Sequence, residues 1–489
     1  MLLHPTSLPG EFGIGDFGPR ARDFIDSLLR SGQSIWQMCP LGPTGYGDSP
    51  YQCLSAYAGN TNLVSPEELY TAGLVNEADL AAAKVPQGDV DYAAVIPRKQ
   101  ALLDAAWDRF TYSAPTADNV RFARFVQREA AWLNDFCEFS VIKSMHDLRP
   151  WNQWAPEYRF RDPQALATLR SERADDIKRV AFGQYLFWQQ WASLRLHAAL
   201  SGVAILGDMP IFVAYDSAEC WARQDLFELD ENGLPTAVAG VPPDYFSPTG
   251  QLWGNPLYRW SAHAAQGFDW WKDLFRSRFA MFDYLRVDHF RGFEAYWRVP
   301  YGEATAENGR WVAAPGQELF TAVRDELGTL PIIAEDLGVI TPAVEQLRDH
   351  FGFPGMKVLQ FAFDSGEDND YLPHNYPRNS AVYTGTHDND TTQGWLSTAS
   401  ATDLAYAQRY LGRAPHPWAF IQAALASTAQ LAIVPMQDLL ELGTEARMNV
   451  PGTLGGNWTW RMRPEQLGQE QLEQRLREAS ELYGRTTAK

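Results

Sequence analysis

The sequence predicts an α/β chain folded as a (β/α)8 TIM barrel with a helical insertion domain and long active-site loops. Three observations lead there. Short apolar runs that end in polar residues recur along the chain, and the stretches between them are helical or irregular. The length, 489 residues, exceeds the ~250 of a plain barrel and leaves room for insertions. Strands separated by helices pair in parallel, and eight of them close a barrel. An open doubly wound sheet is the competing architecture.

The eight candidates run in order. L-L-H-P (Leu2 to Pro5) is followed by I-W-Q-M-C-P-L (Ile35 to Leu41), V-A-I-L-G-D (Val203 to Asp208) and Y-L-R-V-D (Tyr284 to Asp288). Then come P-I-I-A-E-D (Pro331 to Asp336), M-K-V-L-Q-F-A-F-D (Met356 to Asp364), A-V-Y-T-G-T-H-D (Ala381 to Asp388) and L-A-I-V-P-M-Q-D (Leu431 to Asp438). Helical patterns such as F-A-R-F-V-Q-R-E-A-A-W-L fill the span after the second strand. The expected division is therefore 1–64 as the first part of the barrel, 65–201 as a helical insertion subdomain, and 202–489 as the rest of the barrel. A Gly/Pro/aromatic loop is expected over 240–256, and a solvated amphipathic helix at the C-terminus.

Composition narrows the function classes. Apolar content of 45% and charged content of 21% are those of a soluble globular protein. A net charge of −19 argues against nucleic acid and against anionic membrane as partners. The aromatic share of 13% suits a site that stacks flat faces on a ligand. Cys39, Cys53, Cys137 and Cys220 show no metal or disulfide spacing and read as reduced thiols. No apolar run spans a bilayer and the first residues lack a secretory pattern, so a cytoplasmic location is expected. A monomer is compatible with the sequence. G-I-G-D-F-G (Gly13 to Gly18) matches a dinucleotide fingerprint, but Pro5, Pro9 and Pro19 break the strand and helix which that fingerprint needs.

The chemistry concentrates at strand ends. In a barrel the C-terminal end of each strand carries function, and here those ends bear Asp208, Asp288, Glu335 with Asp336, and Asp388 after His387. Taken singly, each acid reads as a helix cap or half of an ion pair. Arg286 and Asp288 lie two apart on a strand and so share a face; a lone R-x-D is usually a satisfied pair. Several carboxylates converging on one rim repel each other, and a fold gains nothing from that. Glycosidic bond cleavage needs such a set: one acid to protonate the leaving oxygen and one carboxylate to attack the sugar carbon. Mg²⁺ or Ca²⁺ binding ranks second, because Arg286 and His387 would compete with a cation for the same oxygens.

L-R-V-D-H-F-R-G, I-I-A-E-D-L-G and Y-T-G-T-H-D-N-D resemble strand-end motifs of the α-amylase superfamily, in particular the 4-α-glucanotransferases called amylomaltases or disproportionating enzymes. L-L-H-P-T-S-L-P-G, G-P-T-G-Y-G-D-S-P-Y-Q, G-D-M-P-I-F, G-V-P-P-D-Y-F-S, M-K-V-L-Q-F-A-F-D and E-A-R-M-N extend the resemblance over nearly the whole chain, in order. It implies transfer of α-1,4-glucan segments from a maltooligosaccharide or starch donor to the 4-hydroxyl of glucose or another glucan, cyclisation included, with no cofactor and no catalytic metal. It implies Asp288 as nucleophile, Glu335 as acid/base, and Asp388 holding the 2- and 3-hydroxyls of the cleaved sugar with His387 beside it. Arg286 would orient Asp288 and keep it charged, Asp208 would bind the same sugar, and Tyr51 would stack on it.

Transfer instead of hydrolysis requires a site that keeps water out and holds an acceptor in line. The 240–256 loop, with Tyr245, Phe246 and Trp253, is expected to lie over the cleft as an apolar lid. The alternatives are an α-amylase-like retaining hydrolase with the same carboxylates, a catalytically dead glucan-binding protein, and a metal-dependent barrel hydrolase.

Overall fold

The structure, a computed structural model, describes residues 1–243 and 247–486; the expectations placed on Tyr245 and Phe246 lie outside them. Seven parallel strands follow one another around a sheet in chain order: Ile35–Gln37, Ala204–Met209, Tyr284–Val287, Ile332–Ala334, Gly355–Val358, Ser380–Tyr383 and Leu431–Ile433. The eighth position is filled by Leu2, which bridges in parallel to Gln37 on one side and Pro435 on the other. Its N–H donates to Val434 O at 2.8 Å, and its carbonyl accepts from Met436 N at 3.0 Å. Gln37 N and Met1 O, 2.8 Å apart, complete the seam. Seven of the eight expected strands are therefore present in the expected order, and the first is reduced to the bridging residue Leu2. The open doubly wound sheet is excluded, because the two edges of the sheet meet through Leu2.

Alternation along the strands separates two apolar layers. Leu2, Leu206, Ile333, Met356, Val358, Ala381, Tyr383 and Ile433 form a closed cluster inside the barrel. Leu285, Val287, Ile332 and Ala334 point outward into the large core beneath the surrounding helices. Helices fill the segment between the first two sheet strands, among them Tyr92–Ser113, Thr116–Arg128, Ala130–Met145 and Ala174–Leu200. The last of these packs on Pro19–Arg30 and on the strand Ala204–Met209, so it serves as one of the barrel's own outer helices.

Within the Gly/Pro/aromatic loop expected over 240–256, Gly240, Val241 and Gln251–Pro256 are strand. Ala237–Val241 pairs antiparallel with Gln251–Pro256 on one side and with Ala295–Pro300 on the other; Arg310–Ala313 completes a separate four-stranded sheet. Gly, Pro and aromatic residues hide the alternation there, and the pairing partner is more than 50 residues away in the chain. The C-terminal helix Glu470–Leu482 buries Leu476 and Ala479 and anchors Arg30 with both oxygens of Glu473 at 2.7 Å. The G-I-G-D-F-G turn is structural: Asp16 accepts from Gly18 N at 3.0 Å and pairs with buried Lys99 at 3.3 Å.

Candidate active site

Strand register assembles the site. Asp208 lies directly beside Arg286 on neighbouring strands, with Ile333 next in the row. The ladder continues one step further, with Asp288 N donating to Met209 O and Glu335 N to Val287 O, both at 3.0 Å. Asp288 and Glu335 are thus the first residues past their strands, on the same rim.

Arg286 lies almost wholly buried between two carboxylates. Its Nη1 donates to Asp208 Oδ1 and Oδ2 at 2.9 and 2.7 Å, and its Nη2 meets Asp288 Oδ1 at 2.8 Å. Tyr51 OH adds a bond to Asp208 Oδ2 at 2.8 Å. Burial raises the Asp288 carboxyl above its ordinary value, Arg286 opposes that, and the Asp208 and Asp388 charges add to it. Glu335 has no cationic partner at hydrogen-bond distance among the described residues; it accepts from the main-chain N–H groups of His289 at 2.7 Å and Leu337 at 2.9 Å. Burial, then the charge of Asp288, pushes it up to about 8. Burial raises both acids, and they differ in what opposes it: Asp288 has the Arg286 cation at 2.8 Å, whereas Glu335 has, among the described residues, only main-chain N–H groups within hydrogen-bond distance.

His289 turns the chain immediately after Asp288 with φ 48°, a left-handed conformation that aims its N–H at Glu335. Trp253 meets the His289 imidazole edge to face at 4.7 Å. Of the three aromatics expected in a lid, Trp253 is the one among the described residues, and it lies on the strand Gln251–Pro256 against the residue that follows Asp288.

On the opposite side, Tyr51 stacks on His387 at 5.0 Å and 19°. His387 Nε2 lies 3.5 Å from Asp388 Oδ2. Three contributors were not singled out by sequence reasoning. Asn449 Nδ2 donates to Asp388 Oδ1 and Arg447 Nη2 to the Asp388 carbonyl, each at 2.6 Å; the Trp458 ring leans on both His387 and Tyr51, at 5.7 and 5.8 Å. E-A-R-M-N carried the signal for the first two. Asp336, expected on the rim with Glu335, points away: it accepts from Arg348 Nη1 at 2.5 Å and Met356 N at 2.7 Å, and tethers the next helix and strand.

The site thus brings together Tyr51, Asp208, Arg286, Asp288, Glu335, His387 and Asp388, with Trp253 at its edge. Among the described residues no helix is long and apolar enough to cross a membrane. The family model described as 4-alpha-glucanotransferase matches residues 3–467. A 4-alpha-glucanotransferase of Thermus thermophilus is 50% identical over 480 residues, covering 96% of this chain and 95% of its own. One from Synechocystis sp. is 48% identical over 492 residues, covering 99% and 97%. The amylomaltase from Streptococcus agalactiae, solved in complex with acarbose, superposes with a TM-score of 0.96 at 41% identity over 100% of this chain and 99% of its own. This chain belongs to the 4-alpha-glucanotransferase family.

Proposed function

We propose that this enzyme moves segments of α-1,4-glucan from a donor chain to the 4-hydroxyl of glucose or of another glucan, through a covalent intermediate on Asp288. The observation that carries the reading is the split between the two central acids: Asp288 ion-paired to Arg286, and Glu335 raised to about 8 by burial and by Asp288.

In the first half-reaction Asp288 attacks the anomeric carbon as the bond to the leaving O4 breaks, and Glu335 gives its proton to that oxygen. With Oδ1 held by Arg286, Oδ2 is the attacking oxygen. In the second half, the Glu335 carboxylate takes the proton of an acceptor 4-hydroxyl. The acceptor oxygen forms the new bond to the anomeric carbon, and Asp288 leaves as a carboxylate. Asp388 and His387 grip the hydroxyls of the same sugar. Asp208 lies under it, locked by Arg286 and Tyr51.

Retention follows from two successive displacements. Trp253 supplies an apolar wall that favours an acceptor sugar over water. Incubation with maltotriose tests the reading: transfer yields glucose and a ladder of longer maltooligosaccharides, whereas an α-amylase-like hydrolase yields shorter products alone. Loss of both patterns in Glu335→Gln, with activity of the parent surviving EDTA, separates this mechanism from a binding protein and from a metal-dependent hydrolase.

A further inference from the structure

Asp388 follows the strand Ser380–Tyr383, yet its geometry is set by a segment near the C-terminus. Arg447 Nη2 donates to the Asp388 carbonyl at 2.6 Å, and Arg447 Nε donates to the Asn449 carbonyl at 2.8 Å. Asn449 Nδ2 closes the ring by donating to Asp388 Oδ1 at 2.6 Å. One guanidinium therefore fixes the spacing between two main-chain segments, and the amide on one of them fixes the carboxylate on the other. The same segment is braced behind: Trp458 N donates to Met448 O at 2.7 Å, and Tyr92 OH donates to Trp458 O at 2.9 Å. Trp458 is held in a left-handed conformation, φ 63°, with its ring against His387 and Tyr51.

The choice of groups is informative. The Asp388 side chain is 45% exposed, so burial alone does not fix its rotamer. A lysine or arginine on its oxygens would hold it but would also neutralise it. Asn449 is a neutral donor that takes up one lone pair and leaves the charge intact. The charge of Arg447 is directed to two carbonyls instead.

We propose that Arg447 and Asn449 are positioning residues of the transfer reaction, holding the Asp388 carboxylate at the angle and height at which it grips the hydroxyls of the sugar being transferred. This rests on the reading of Asp388 given above. A misplacement of roughly 1 Å costs on the order of 10²-fold in rate, which sets the scale expected.

The test uses full-length enzyme and maltotriose. Asn449→Ala is expected to lower kcat by roughly 10–100-fold, to change KM little, and to leave the unfolding midpoint where it was. Asn449→Asp sets a second carboxylate against Asp388, so that the two share a proton; the acid limb of the kcat–pH profile then moves to higher pH, which a purely structural residue would not cause. Arg447→Lys, able to reach one carbonyl but not both, falls between parent and Arg447→Ala. Inactive Asp388→Asn beside Asn449→Ala of parental kcat, with an unmoved acid limb in Asn449→Asp, would overturn the clamp alone. Full activity in Asp388→Asn would overturn the reading of Asp388 and the clamp with it.

Discussion

Arg286 spans Asp208 and Asp288 with opposite corners of one guanidinium, Nη1 on the first at 2.7 and 2.9 Å and Nη2 on the second at 2.8 Å. The strand register makes this possible: Asp208 is its neighbour across the ladder, and Asp288 is two residues further on, just past the end of its strand. One cation thus ties Asp208 to Asp288, the carboxylate proposed to attack.

Removing that tie has two separable effects. Arg286→Ala leaves Asp208 buried without its cation and is expected to destabilise the fold by ~3–5 kcal/mol, read by urea unfolding. Arg286→Lys keeps a charge but loses the planar fork. It is expected to retain most of the stability while kcat for maltotriose disproportionation falls by roughly 10²-fold. Equal losses of stability in the two variants would contradict this assignment.

The pH dependence follows from Glu335. Its carboxyl is raised from 4.5 to about 8, so it is a competent acid at neutral pH, and kcat/KM should fall on the alkaline side as it deprotonates. The linkage runs opposite to the usual carboxylate. Between 4.5 and about 8 the folded chain holds a proton that the unfolded chain has released, so stability falls as pH rises through that window. Glu335→Gln should abolish this component of the stability–pH curve together with the transfer activity, as read by thermal melts from pH 5 to roughly 9.

Tyr51 offers a hydroxyl to Asp208 and a ring face to His387. Tyr51→Phe removes one hydrogen bond, worth ~0.5–1.5 kcal/mol, and is expected to lower kcat/KM by roughly 2–10-fold. Tyr51→Ala also removes the stacked ring and is expected to cost more than ten times as much again. If Phe and Ala were equivalent at this position, the ring would have no part in the site.

In the proposed function Trp253 favours an acceptor sugar over water. Trp253→Ala strips an apolar face from the edge of the site beside His289 and should raise the share of hydrolysis. The readout is reducing sugar released per maltotriose disproportionated; an unchanged ratio would place water exclusion elsewhere.

The amino-acid pattern alone determined the barrel and most of the pocket. Eight apolar runs with helical or irregular sequence between them imply parallel pairing in chain order. Acids at their C-terminal ends imply a reactive rim, because both properties are local and repeat with strand periodicity. The ends of the apolar runs pointed to Asp208, Asp288, Glu335 and Asp388, and to Asp336 as well, while Arg286 and His387 took their site roles from the resemblance to the glucanotransferase motifs.

Only the tertiary structure decided the rest. The strand pair Ala237–Val241 and Gln251–Pro256 takes its order from the strand Ala295–Pro300, and Asp336 turns outward to Arg348 and Met356 N. Arg447 and Asn449 reach Asp388 across about 60 residues of chain. Such contacts leave no periodic trace, since a side chain that meets a partner far along the chain obeys the geometry of the folded state and not the spacing of its own segment.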